Sequence, residues 1–243
     1  MIKVGLIGFG YWGKILYQKL KDICEVVFVC DSAASFTSRL DEVDWIVIAT
    51  PDDTHYDITK ACLVAGKNVF CEKPLSLTYS KSKTLFELAS ANQLKLYVDD
   101  VERYKDHEIN FLKHNLVKRE KVGNGVISNL LYILTYHDVY LLFDYIKELK
   151  VREIVSYDIK DKLHFEVVYD NAQIEFLYAV GCEEKTHHIN NCNLVNHRDA
   201  LKEMLTCVLN NTADFSYNKQ STLFVNQFID SIKNNLYSKE KNV

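Results

Sequence analysis

The chain has 243 residues, of which 48% are hydrophobic and 26% are charged, and this composition is typical of a globular protein of one or two domains. A net charge of −4 with dispersed lysines argues against a nucleic-acid-binding surface. Seven cysteines without a C-x-x-C pair argue against disulfides and zinc, and the sequence predicts neither a signal peptide nor a membrane span, so we expect a cytoplasmic protein.

The first half of the sequence alternates short apolar strands with helical patterns. Strands are expected at residues 2–7, 25–30, 45–49, 68–71 and 95–98. Helices are expected after the first strand and at residues 53–65, 79–92 and 101–119. This alternation predicts an α/β domain with a parallel, doubly wound (Rossmann) sheet.

A G-x-G-x-x-G motif follows the first strand and opens a helix. Its residues are Gly8, Phe9, Gly10, Tyr11, Trp12 and Gly13. In a dinucleotide-binding loop, the first glycine makes a tight turn, the second lets the backbone approach a pyrophosphate, and the third lets the helix pack on the strand. The pattern therefore predicts a dinucleotide at the helix N-terminus, with a purely structural glycine turn as the alternative.

Asp31 ends the second strand, eighteen residues after Gly13. An acid at this place is expected to bind the ribose 2′-hydroxyl of NAD and to repel the 2′-phosphate of NADP. Ser32 and two alanines follow it, not an arginine, so Asp31 and Ser32 favour NAD over NADP. The alternative is that Asp31 only caps a turn.

A lysine stands between an acid and a proline at the end of the fourth strand, as Glu72-Lys73-Pro74. Ligands of parallel α/β sheets bind at the carboxyl ends of the strands. Lys73 is therefore a candidate proton donor or acceptor, with a plain surface lysine as the alternative.

Residues 1–121 resemble the nucleotide-binding domain of the Gfo/Idh/MocA family of NAD(P)-dependent oxidoreductases. The motifs that carry the resemblance are the glycine loop through Lys14, Ile48-Ala49-Thr50-Pro51 with His55, Ala65-Gly66-Lys67-Asn68-Val69, Glu72-Lys73-Pro74-Leu75, and Arg103-Tyr104. The resemblance implies that Lys73 contributes to substrate binding and proton transfer. It also implies that Thr50, Pro51 and His55 lie along the nicotinamide side of the cofactor site, with Glu72 beside them.

Strands dominate the prediction for the second half. They are expected at residues 126–134, 151–159, 163–169, 172–180 and 185–193, with helices at 137–149, 199–210 and 219–235. Asp170-Asn171 reads as a two-residue hairpin turn. The resemblance implies that residues 122–243 form a shortened α+β substrate-binding domain with an open, mainly antiparallel sheet, through which a homodimer or homotetramer would form.

The family's acid/base histidine carries over onto His137, at an expected helix start. The chain departs from the family pattern nearby, because Ile133 stands where an aspartate is usual and Tyr140 where a second acid is common. A histidine beside Asp138 is alternatively a capping feature. Asp99, Asp100 and Glu102 follow the strand at 95–98 and are candidates to replace the missing acid, whereas His187 and His188 point to opposite faces of a strand and make a poor metal pair.

These features predict an NAD-dependent oxidoreductase of a sugar, nucleotide sugar or similar polyol. A hydride would pass between nicotinamide and a hydroxyl or carbonyl carbon, with Lys73 and His137 handling the proton. One alternative is a non-catalytic NAD(H)-binding accessory or regulatory protein, which Ile133 and the short connection before His137 favour. Another is a reductase of an imine or a conjugated system that needs little acid/base help.

Overall fold

The computed structural model describes residues 1–31, 36–105, 107–122, 130–157, 162–194 and 199–238. Packing divides the chain into two compact units: residues 1–104 with 199–226, and residues 105–198 with 227–243. Residues 199–226 thus group with the N-terminal unit, although they lie far from it in sequence. The division into a cofactor domain and a substrate domain at residues 121/122 stays a prediction.

The first unit is built on a five-stranded parallel sheet, as predicted. Its strands are β1 (Lys3–Ile7), β2 (Glu25–Cys30), β3 (Trp45–Ile48), β4 (Asn68–Cys71) and β5 (Leu96–Val98). Their order is β2-β1-β3-β4-β5, and every neighbouring pair is parallel. The order reverses direction between β1 and β3, and such a switch point is where α/β sheets bind ligands.

Helices cover both faces of this sheet. They are α1 (Tyr11–Leu20), α2 (His55–Val64), α3 (Tyr79–Ala91), α5 (Ala200–Leu209) and the first part of α6 (Phe215–Ser238). One core joins α2 and α3 to the sheet face that includes Ile46 and Ile48. The opposite core joins α1 and α5 to the face that includes Val47 and Phe70. Since both faces are covered, the strands are continuous apolar runs, which is why they are easily recognised in the sequence.

The second unit contains a six-stranded mixed sheet. Its strands are β6 (His114–Val122), β7 (Val151–Tyr157), β8 (Lys162–Tyr169), β9 (Gln173–Cys182), β10 (Thr186–Ile189) and β11 (Cys192–Asn193). Their order is β11-β10-β6-β9-β8-β7, and only β6 and β9 pair in parallel among the described strands. The expected hairpin at Asp170-Asn171 is confirmed, because Tyr169 N–H donates to the Ala172 carbonyl at 2.8 Å.

Three element predictions are wrong. The helix expected at residues 101–119 is absent from the described residues of that range, which contain a short 3₁₀ turn, Val101–Tyr104, and, from His114, strand β6. Residues 185–193 form two strands joined at Asn190, which has a φ of +53°. Residues 123–129 lie outside the described part, and the rest of the strand expected at 126–134 is helical, with a π-helical turn at Leu131–Thr135 that leads into α4 (Tyr136–Ile146). A short apolar run does not distinguish a buried strand from a buried helix.

No helix in the described ranges has the length and apolar character that crossing a membrane requires.

Candidate active site

The three glycines of the loop after β1 have different surroundings. Gly8 has a φ of +95°, and a Cβ there would lie 2.4 Å from the Ala49 carbonyl oxygen. A Cβ on Gly13 would lie 2.0 Å from the Gly8 carbonyl oxygen. At Gly10, by contrast, no heavy atom of the described residues lies within 4 Å of that position. Gly8 and Gly13 are therefore required by the loop itself, whereas Gly10 leaves space beside the backbone.

Helix α1 begins directly after this open space. Gly10 is its N-cap and offers no side chain to the first N–H groups, and the first turn carries no acidic residue. Tyr11 and Trp12 point outward, with 77% and 55% of their surface exposed. An open helix N-terminus with free N–H groups suits an anion, so a pyrophosphate fits these residues.

Asp31 is held against the glycine loop. Its Oδ1 accepts the backbone N–H of Phe9 at 3.1 Å, and Gly8 N–H donates to the Cys30 carbonyl at 2.7 Å. The two strand ends therefore bring the candidate ribose ligand next to the candidate pyrophosphate site, and the Asp31 side chain is exposed. Ser32, the other candidate ribose ligand, lies outside the described residues.

His55 joins the loop after β3 to the loop after β4. Its ring is fully buried, with Nδ1 2.7 Å from the Pro74 carbonyl oxygen and Nε2 2.8 Å from the Thr50 carbonyl oxygen. Carbonyl oxygens only accept, so both hydrogen bonds form together only when both ring nitrogens carry a proton. His55 thus fixes the backbone at Thr50 and Pro74, while Pro51 is exposed beside it.

Lys73 follows β4 at the same edge of the sheet. It is half-buried, and the peptide bond to Pro74 is cis. Glu72 N–H donates to the Ile48 carbonyl at 2.9 Å, so the pairing of β4 with β3 continues to the residue before the lysine. The ends of the neighbouring strands β3 and β4 therefore place Thr50 and Lys73 at the carboxyl edge of the sheet. This is the location that we predict from the sequence.

Glu72 is buried beside another acid, Asp99. Only 6% of Glu72 and 5% of Asp99 is exposed. Burial raises the pKa of Glu72 well above its usual value, and the nearby charge of Asp99 raises it further, whereas Lys73 and His55 oppose the shift. Burial likewise raises the pKa of Asp99, against the lowering effect of the N–H of Val101.

Asp100, one candidate for a replacement acid, belongs to a buried network. Its Oδ1 accepts the hydroxyl of Tyr97 at 2.8 Å, and its Oδ2 accepts Asn218 Nδ2 at 3.1 Å and Arg103 at 3.4 Å. Burial raises the pKa of Asp100 to about 6, although Arg103 opposes this effect. Asn218 also exchanges two hydrogen bonds with the backbone of Val98, so the network attaches α6 to β5.

In the second unit, His137 lies half-buried in the first turn of α4. The neighbouring Asp138 is fully buried, and its Oδ1 lies 2.6 Å from His187 Nε2 and 3.4 Å from Arg119 Nη1. Asp138 therefore pairs with side chains of β10 and β6. Sequence reasoning missed His187 as a partner; the inward register that it shares with Ile189 on β10 was the available signal.

Comparison with known proteins finds a family match within the first unit. Residues 21–100 match the sequence model of the oxidoreductase family with an NAD-binding Rossmann fold, GFO_IDH_MocA. The chain is 29% identical over 153 residues to an uncharacterized oxidoreductase of Streptococcus pneumoniae, which covers 56% of this chain and 40% of the relative. It is 29% identical over 119 residues to scyllo-inositol 2-dehydrogenase (NADP(+)) IolW of Bacillus subtilis, covering 40% of this chain and 32% of the relative. The matches thus span less than half the length of either relative.

The fold of the whole chain is shared with solved structures. UDP-N-acetylglucosamine 3-dehydrogenase GnnA from Acidithiobacillus ferrooxidans superposes with a TM-score of 0.83 over 96% of each chain, at 15% identity. An identity this low establishes the fold alone. The resemblance predicted from the motifs is confirmed for residues 21–100, which match the model of the Gfo/Idh/MocA oxidoreductase family.

Proposed function

We propose that the protein is an NAD-dependent oxidoreductase that transfers a hydride between nicotinamide and a hydroxyl or carbonyl carbon of a sugar, nucleotide sugar or related polyol. The observation that carries this proposal is the carboxyl edge of the first sheet. There the open glycine loop, Asp31 and Lys73 follow the ends of β1, β2 and β4. Ligands of parallel α/β sheets bind at this edge, so a dinucleotide would bind there beside the glycine loop and Asp31. Lys73 would then be the proton-transferring group next to it.

The cofactor would be held by residues of the first unit. The N–H groups at the start of α1 would bind the pyrophosphate, and Asp31 with Ser32 the ribose hydroxyls. Thr50 and Pro51 would lie beside the nicotinamide ring. His55 would hold the Thr50 backbone in place through its hydrogen bond with the Thr50 carbonyl oxygen. The negative charge of Asp31 favours NAD over NADP. The relative IolW is named for NADP(+), so both cofactors belong in any test.

Lys73 would handle the proton of the reacting hydroxyl or carbonyl. One positioned acid/base group typically contributes about 10²–10⁴-fold in rate. His137 is the second candidate for this role and rests on its resemblance to the family's helix start. The names of two similar proteins, an inositol dehydrogenase and a dehydrogenase of UDP-N-acetylglucosamine, support a polyhydroxylated substrate.

The experiment is a rate survey of the purified full chain with NAD and NADP over inositols, free sugars and UDP-linked sugars. We expect turnover of at least one polyol, and Lys73→Ala should lower kcat about 100-fold while the Kd for NADH changes about threefold or less. His137→Asn, tested alongside, should lower kcat and shift its pH profile. Tight NADH binding without turnover of any compound would overturn the proposal.

A non-catalytic NAD(H)-binding protein is the second candidate. Ile133 at the place of the family's aspartate favours it, and so does Asp138, whose carboxylate is already paired with His187 and Arg119. For such a protein, Lys73→Ala would change NADH binding alone. We further propose a cytoplasmic homodimer or homotetramer joined through the second sheet, whose strand β7 is exposed or half-buried at every position.

A further inference from the structure

The register of β4 and β5 brings two acids together. Cys71 and Val98, the last residues of these strands, are partners in the parallel ladder. Glu72 and Asp99 come next, and Asp99 N–H donates to the Cys71 carbonyl at 2.9 Å. The two side chains therefore leave neighbouring strand ends side by side, and both are at least nine-tenths buried.

The hydrogen bonds available to this pair do not support two charges. Asp99 Oδ1 accepts the N–H of Val101 at 2.8 Å. Glu72 Oε1 is buried and has no hydrogen-bond partner among the described residues. Two ionised carboxylates in such a place would repel each other without water to screen them, whereas a shared proton makes a hydrogen bond between them. The raised pKa of both acids is consistent with one proton for the pair.

Charged and titratable groups surround the pair. Lys73 and His55 act on Glu72, and Lys73 and Glu102 act on Asp99. The thiol of Cys71, the last residue of β4, is buried in the core, and burial raises its pKa. Lys73 acts on both acids, and it comes directly after Glu72 in the chain.

We propose that Glu72 and Asp99 share one proton, carry a single negative charge between them, and serve as the counter-ion that sets the proton affinity of the Lys73 amine. Both are positioning residues, since they act through Lys73. With a nicotinamide cofactor bound as the hydride acceptor, the neutral Lys73 Nζ would take the proton of the substrate hydroxyl, and the pair would stabilise the ammonium that results. The catalytic consequence rests on the proposed function, whereas the shared proton does not.

Substitutions distinguish one charge from two. Glu72→Gln keeps a neutral hydrogen-bonding group beside Asp99 and so preserves a single charge. Glu72→Gln with Asp99→Asn removes the charge altogether. Glu42→Gln is the matched control. Glu42 is exposed, pairs with Arg39, and lies thirty residues before Glu72 in the chain.

The test measures how fast the Lys73 amine is acetylated as a function of pH, by mass spectrometry of the Lys73 peptide, without substrate or cofactor. We expect an unchanged midpoint in Glu72→Gln and in the control, and a midpoint lower by about one pH unit or more in the double variant. An equal downward shift in Glu72→Gln would show that the pair carries two charges. No shift in the double variant would show that the pair is not the counter-ion of Lys73.

A second measurement needs only one substitution and stays informative if the double variant fails to fold. A protonated buried carboxyl gives an infrared carbonyl band that is distinct from that of a carboxylate. We expect such a band in the parent near neutral pH and its loss in Glu72→Gln. An identical band in both, or none in the parent, would overturn the shared proton. Failure of the proposed enzymatic function would leave both measurements interpretable, because neither involves turnover.

Discussion

At the scale of single residues, the glycine loop separates structural from functional requirements. The position of a Cβ on Gly13 collides with backbone of Gly8, which cannot rotate away as a side chain would. The corresponding position on Gly10 is open, and Gly10 has a φ of −70°, which any residue adopts. The same substitution should therefore damage stability at one glycine and cofactor binding at the other.

We expect Gly13→Ala to lower the free energy of unfolding by about 1–3 kcal/mol, because backbone atoms must shift. Gly10→Ala should cost about 1 kcal/mol or less, the scale of a weaker N-cap, yet weaken NADH binding about tenfold or more. Urea denaturation and NADH titration of the two variants provide the measurements. Equal losses of stability in both would contradict this reading of the loop.

Asp100 should give stability a specific pH dependence. Its pKa is about 6 in the folded protein against the ordinary 3.8, so the fold binds this proton more tightly than the unfolded chain does. The associated stability is present below the unfolded pKa and is lost as the pH rises through about 6, with a total of roughly 3 kcal/mol. Between about pH 4 and pH 7, urea denaturation should show the parent losing about this much relative to Asp100→Asn. Parallel curves for the two proteins would refute the assignment.

At the scale of secondary-structure elements, the start of α4 depends on a buried hydrogen-bonded cluster. Asp138 in its first turn reaches Arg119 on β6 and His187 on β10, and all three side chains are buried. The helix that carries His137 is thereby attached to two strands of the second sheet. Removing the Asp138 carboxylate would leave Arg119 and His187 buried without their acidic partner. The resulting loss in the free energy of unfolding is larger than the stabilisation that an intact pair contributes.

We expect Asp138→Ala to lower the free energy of unfolding by about 3–5 kcal/mol. Asp144→Ala on the same helix should cost about 0.5 kcal/mol or less, since the pair of Asp144 with Lys147 is exposed. Adding Arg119→Ala to Asp138→Ala should recover part of the loss. A similar small cost for both single variants would show that the cluster does not hold α4.

The strands of the first sheet could be predicted from the sequence, whereas β6 could not. Parallel strands covered on both faces are continuous apolar runs, so Trp45–Ile48 stands out from its surroundings. Strand β6 instead turns Asn115 and Arg119 inward, next to Val117, so its inward face has no apolar period. Its strand conformation comes from pairing with β9 and β10, which no local pattern reveals.

The candidate site likewise has a part that could be predicted from the sequence and a part that could not. The glycines, Asp31 and Lys73 follow strand ends at characteristic spacings, so sequence alone predicted their location. The contact of Glu72 with Asp99 depends on the register of two strands separated by a helix, and the bridge that His55 makes between two carbonyl oxygens depends on two loops. Such contacts arise only once the sheet has formed.

At the scale of the whole molecule, the first unit needs a segment from the far end of the chain. Met204, Leu205 and Val208 of α5 are fully buried in its core, against β3, β4 and α1. Burial of each such side chain contributes about 1.5–3 kcal/mol, so their sum is comparable to the total stability of a typical domain. We therefore expect that residues 1–121 do not fold as a self-sufficient unit.

We expect a fragment of residues 1–121 to be insoluble or to lack a cooperative thermal transition, since its sheet would expose the apolar face that α5 covers. Circular dichroism during heating, with the full chain as the control, measures this. A fragment that melts cooperatively and binds NADH as tightly as the full chain would show that α5 is dispensable.

The proposed function requires a nicotinamide dinucleotide at the glycine loop with its ribose on Asp31. NADH and NADPH titrations of the parent, Asp31→Ala and Asp41→Ala test this most directly, because Asp41 is fully exposed and its loss changes the net charge equally. We expect that the parent prefers NADH, that Asp31→Ala weakens NADH binding about tenfold and abolishes the preference, and that Asp41→Ala behaves as the parent does. Equal NADH affinities of the parent and Asp31→Ala would contradict it.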